Sequence, residues 1–120
     1  MQHLAGQTSI ADDALHGAVE NLARVAQTPT QLIVVAAALG EFGQPERGLT
    51  FAKRAEKLSP IDYRVLDVTA ALVAALGRVD EAVRIQRQAV AFVPENANAP
   101  EVLEHLRRYE SRSERITDTH

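Results

Sequence analysis

Shifted by 34 residues, the stretch 29–60 coincides with 63–94 at seven positions: Leu32 with Leu66, Val34 with Val68, Ala36 with Ala70, Ala37 with Ala71, Gly43 with Gly77, Ala55 with Ala89, and Pro60 with Pro94. Conservative matches fill the gaps, among them Leu39 with Val73, Phe51 with Ile85 and Lys53 with Arg87. A period of this length marks stacked supersecondary units, none of which can bury its apolar face alone.

Each unit reads as two antiparallel helices. In the first unit, 29–60, Leu32, Val35, Ala36 and Leu39 fall on one face of a helix over 30–41. Gly43 follows the last turn, where a residue able to adopt positive φ closes a helix. Pro45 suits the first turn of a second helix over 45–58, and Glu46 complements its dipole. Gly48, Ala52 and Ala55 form a small-residue stripe that lets the two helices approach, and Ser59-Pro60 stops the chain. The second unit, 63–94, repeats this grammar with helices over 62–76 and 80–92. Leu66, Ala70 and Val73 face inward from one, Ala82, Ile85, Ala89 and Phe92 from the other, and Asp80 is the expected N-cap.

The flanks are less regular. A helix is expected over 11–27, with its register open: Asp12 and Ala14 fit one alignment to the second helices, whereas Leu15, Leu22 and Val25 fit a register one residue away. Asp12 and Asp13 are read as helix-start acids. After Pro94 the run ENANAP is a loop, and Pro100 opens a terminal helix over 100–110 with Val102, Leu103, Leu106 and Tyr109 as its apolar stripe. Residues 111–120 carry little apolar content and are expected to fray.

These residues resemble the tetratricopeptide repeat family. Its spaced small, large and proline positions fall on Leu32, Val35, Ala36, Leu39, Gly48, Ala52, Ala55 and Pro60, and again on Leu66, Thr69, Ala70, Val73, Ala82, Gln86, Ala89 and Pro94. Aromatic positions of the pattern are not matched, and Gln86 stands where Phe is usual. The ending EVLEHLRRYES is similar to the helix that closes many such arrays. The resemblance implies an all-α solenoid of about two full repeats between an N-terminal helix and a C-terminal capping helix. It also implies a concave groove, lined by the first helix of each pair, that holds a peptide or helix of another protein. On this reading the groove residues are Thr30, Ile33, Ala37 and Gly40, then Arg64, Asp67, Ala71 and Ala74, with Asn98, Glu101, His105 and Arg108 added by the last helix. The small ones serve equally to let helices pack. The family's carboxylate-binding mode is not expected, because its positions hold Ile33, Ala37 and Val68.

Composition narrows the remaining classes. A net charge of −3 with both signs interspersed offers no field for a phosphate backbone. The chain has no Cys, hence no disulfide or thiolate chemistry. Its longest apolar runs, 32–39 and 70–76, fall short of the roughly 20 residues that span a bilayer. No secretory pattern opens the sequence, and a soluble, cytoplasmic protein is expected. His3, His16, His105 and His120 show no metal-ligand spacing. Glu101 and His105, one helical turn apart, read as a surface pair rather than an acid/base couple. Gly40-Glu41-Phe42-Gly43 follows a helix and is too sparse for a phosphate loop. Arg107, Arg108, Arg112 and Arg115 interleave with Glu104, Glu110 and Glu114, which makes a solvated mixed-charge face. The expected function is therefore binding of another protein, without catalysis, cofactor or metal. The alternatives are a homo-oligomerising element or a regulatory domain of a larger protein.

Overall fold

The structure, a computed structural model, describes the backbone of residues 2–118 and the side chains of residues 12–115. Among the described residues there are six helices and no strand: α1 (Gln2–Val25), α2 (Pro29–Glu41), α3 (Pro45–Leu58), α4 (Tyr63–Ala75), α5 (Val79–Phe92) and α6 (Pro100–Asp118). The two inner pairs begin 34 residues apart, α2 to α4 (29 to 63) and α3 to α5 (45 to 79). Within a residue at each boundary they are the pairs the repeat predicts.

Local chemistry sets these boundaries. Pro29 occupies the first turn of α2, and Thr28 caps it in a reciprocal box. Thr28 Oγ1 accepts from the Gln31 amide at 3.1 Å, while Gln31 Oε1 accepts from the Thr28 amide at 3.3 Å. The ends of α2 and α4 are two copies of one motif. Gly43 (φ 79°) donates to Gly40 O and Gln44 to Leu39 O; 34 residues on, Gly77 (φ 84°) donates to Ala74 O and Arg78 to Val73 O. This doubled closure is the Schellman motif, and it satisfies carbonyls that a helix end otherwise strands. Asp62 caps α4, accepting from the Arg64 amide at 3.0 Å.

Packing repeats as the sequence does. α2 lies on α3 and α4 on α5; α3 and α2 both contact α4, and α5 contacts α6. Leu32, Ala55 and Val65 belong to one buried cluster, and Leu66, Ala89 and Val102 to another. The first two members shift by 34 (66 − 32, 89 − 55) and the last by 37 (102 − 65), so α6 stands to the second pair as α4 stands to the first. The expected core residues Leu32, Val35, Ala36 and Leu39 are at most 1% exposed, and Ala52, Ala55, Ala70, Ala82 and Ala89 are fully buried.

The joint between pairs is a knob in a notch. Cβ atoms placed on Gly40 and Gly48 would each lie 2.7 Å from an existing atom, Leu72 Cδ2 for Gly40 and the Ala36 carbonyl oxygen for Gly48. The missing side chains admit Leu72, itself only 3% exposed. Ala74 and Ala82 hold the equivalent places in the second pair, and Tyr109 of α6 packs against the cluster that contains them.

Several expectations are corrected. α1 begins at Gln2, not near 11, and runs through Gly6. Asp12 and Asp13 therefore sit inside a helix and cap nothing. Among its described residues Val19 is buried and Leu22 and Ala23 are half-buried, and Ala26, just past its end, is buried too. Val19 and Leu22 match Ala52 and Ala55 at a shift of 33 (52 − 19, 55 − 22), the register one residue from the period. Leu15 and Val25 remain 53% and 64% exposed. α5 starts at Val79, which is buried; Arg78 is its N-cap, and Asp80 lies in the first turn, where it accepts from Ser113 Oγ. Residues 111–118 are helical rather than frayed, because α6 is tied to α5 by Ser113 to Asp80 and by Arg87 to Glu110 at 3.1 Å. Residues 119–120 lie outside the described residues. Phe92 and Leu103, expected inside, are 43% and 42% exposed.

Candidate interaction surface

Because α2 contacts α4, and α6 bonds to α4 through a side-chain pair, the three helices present a shared face. Helical spacing decides what stands on it. From α2 it shows Thr30, Val34 and Ala37 exposed and Ile33 half-buried; from α4, Arg64 and Ala71 exposed and Asp67 and Val68 half-buried; from α6, Glu101 and Arg108 exposed and His105 half-buried. Asn98 is exposed in the preceding loop. Gly40 is half-buried beneath Leu72 and contributes packing rather than a surface. Ala74 does not belong to the face. It is 4% exposed, in the cluster against which Tyr109 packs.

At the centre is a polar knot that joins three helices. Asp67 Oδ1 on α4 accepts from Gln86 Nε2 on α5 at 2.7 Å and lies 2.8 Å from His105 Nδ1 on α6. A carboxylate oxygen can only accept, so His105 donates through Nδ1. The same Gln86 nitrogen donates to the Val102 carbonyl at 2.8 Å. Gln86 is fully buried, and its Oε1 has no partner among the described residues. His105 thus pairs with Asp67 and not with Glu101. Nearby, burial raises the phenol pKa of Tyr109, and the negative charge of Asp67 adds to the rise.

Charged side chains rim the face. Arg64 binds back to its own N-cap, Nη2 to Asp62 Oδ2 at 3.0 Å, and that hydrogen bond pulls the Asp62 carboxyl below its usual range. Arg108 meets Glu104 at 3.6 Å. Along α6, Arg107, Arg108, Ser111, Arg112 and Arg115 surround an open depression of about 380 Å³. Opposite, on α1, Glu20 and Arg47 of α3 form a two-pronged ion pair, with Arg47 Nη2 2.7 Å from Glu20 Oε2. Their hydrogen bond lowers the Glu20 pKa and raises that of Arg47.

On this face Asp67 is bound to His105 and Gln86, Arg64 is bound to Asp62, and Arg108 meets Glu104. Among the described residues, no three or more His, Asp or Glu side chains come together as metal ligands, and no helix is long and apolar enough to cross a membrane. Sequence reasoning missed Leu72 and Val65 as core residues and Gln86 as a bridge. The signal for Gln86 was present, a lone amide in an otherwise apolar series. No protein-family model matches the chain, and no curated protein sequence matches it significantly.

Proposed function

We propose that the chain is a tetratricopeptide-type interaction module that binds a peptide or helix of another protein on the face shared by α2, α4 and α6. The observation that supports this most directly is a row of accessible small and apolar side chains, Ile33, Val34, Ala37 and Ala71, bounded by Arg64, His105 and Arg108. A rigid face of this kind loses little conformational entropy when occupied. Its polar margin suits a partner that comes and goes. The repeat spacing, the doubled helix-end motif and the recurring clusters support the family reading of the fold. Binding on this face requires no metal, cofactor or reaction.

The test uses Ala37→Glu and Ala71→Glu, because both alanines are exposed and a charge there leaves the core alone. Once a partner segment has been captured and purified, calorimetric titration should show each variant binding about tenfold more weakly or worse, roughly a 1.4 kcal/mol loss. Thermal melts should stay within a few degrees of the unmodified chain. Undiminished binding by both variants would move the functional surface elsewhere.

A further inference from the structure

We infer that α1 is a homodimerisation helix, joining two copies of this chain in an antiparallel pair. Helices α2 to α5 each have neighbours along their length. Among the described residues, α1 has them only from His16 onward. At 1.5 Å per residue its 24 residues run about 36 Å, against about 20 Å for the 13 of α2. Among its described residues it meets the bundle through His16, Val19, Glu20, Leu22 and Ala23, with Ala26 just past its end, and residues 12–18 are all exposed.

Beside the strip that packs on the bundle runs a second one. Leu15, Ala18, Leu22 and Val25 recur at three-four-three spacing, the repeat by which helices pair in coiled coils. Leu15 and Val25 are more than half exposed, whereas Leu22 is shared between the two strips. The helix is poorly suited to standing alone. Asp12, Asp13 and Gly17 are weak helix formers, and a helix of this kind draws its stability from packing. A Cβ built on Gly17 would meet nothing within 4 Å, so no contact inside the protomer accounts for that glycine.

Charge selects the occupant and its direction. Asp12 and Asp13 lie in the first half of the helix and Arg24 in its last turn. A parallel copy would set acid against acid. An antiparallel copy centred between Ala18 and Val19 sets Asp13 beside the second copy's Arg24 and Leu15 beside the second copy's Leu22, since both pairs share one sum (13 + 24 = 15 + 22). Small Ala18 lies at the crossing, where the axes come closest. The two-fold axis thus repeats one acid–base pair and one leucine pair, as a two-fold interface requires.

Sedimentation velocity on the whole chain, from about 1 to about 500 µM, should show a reversible monomer–dimer equilibrium. Leu15→Glu should raise the dimer Kd about tenfold or more while the circular dichroism of the bundle persists. Asp13→Arg and Arg24→Asp should each weaken the dimer, and combining them should restore it. Because the chain has no cysteine, a mixture of the Asp13→Cys and Arg24→Cys variants reports direction, with mixed disulfides expected over 13-to-13 ones. The dimer should be indifferent to Ala71→Glu, which tests the partner-binding face separately. A monomer throughout the range, a dimer unmoved by Leu15→Glu, preferential 13-to-13 disulfides, or a dimer broken by Ala71→Glu would each overturn the inference.

Discussion

Gln86 is the residue whose surroundings most depend on the assembled molecule. Its amide nitrogen serves two acceptors on two different helices, while its amide oxygen is buried with none. A stranded buried acceptor costs about 1–3 kcal/mol, so the two bonds made by the nitrogen must offset it. Asp67→Ala removes one acceptor and the partner of His105, and should lower unfolding free energy by about 1–3 kcal/mol. Gln86→Ala should cost less in that background than alone, by about 0.5–2 kcal/mol, because the two side chains are coupled. Urea melts of the two single variants and the double variant close this cycle; additive losses would mean that the hydrogen bond contributes nothing.

Helix ends and helix joints call on glycine for different reasons, and substitution separates them. Gly43 and Gly77 have positive φ, yet a Cβ on either meets nothing within 4 Å. Gly43→Ala and Gly77→Ala should therefore each cost about 1–2 kcal/mol from backbone strain alone. Gly48 has ordinary helical geometry, and alanine there would gain about 1 kcal/mol of helix propensity. It should still destabilise, since the added Cβ would sit 2.7 Å from the Ala36 carbonyl oxygen, an atom that moves only if α2 moves. A net gain from Gly48→Ala would show that the pair is looser than described. At the start of α4 the discriminating variable is acid. The Asp62 carboxyl, held low chiefly by its hydrogen bond to Arg64, stabilises the fold when ionised. That contribution is complete above the unfolded value, about 3.9, and is lost as pH falls through the lower folded value. Asp62→Ala should thus cost about 1 kcal/mol at neutral pH, with the deficit shrinking on acidification below about pH 4. A deficit that is constant across that range would exclude the ionised cap.

The same distinction explains what could be read from the chain before its structure. Leu32, Val35, Ala36 and Leu39 declare themselves by helical spacing, and Gly43 and Gly77 by their place after the last turn. Leu72 does not, because the notch that buries it is cut by two glycines of the preceding pair. Helical spacing puts Asp67 and His105 each on the expected face, but their bond links residues 38 apart in sequence, beyond the reach of any local pattern. Ala74 was misplaced for the converse reason. Its own helix leaves it open, and it is buried in the cluster against which Tyr109 of α6 packs.

For the molecule as a whole, the two internal joints differ in kind. Between the pairs the contact is hydrocarbon, with Leu72 seated in glycine. Between the second pair and α6, apolar contacts are shared with a knot of carboxylate, imidazole and amide. Opening the first joint exposes apolar surface at about 25 cal/mol per Å², whereas the groups in the knot regain bonds to water as they separate. The chain should therefore not exchange its amide protons as one block. Among α2 to α6, deuterium should enter α6 first, enter α2 to α5 together and much later, and enter α6 faster still in Asp67→Ala. Uniform exchange across α2 to α6 would mean a single cooperative unit. In the expected regime, α6 spends a small fraction of its time away from the bundle, and during those intervals Ala74 and Val102 meet solvent without any loss of the two pairs.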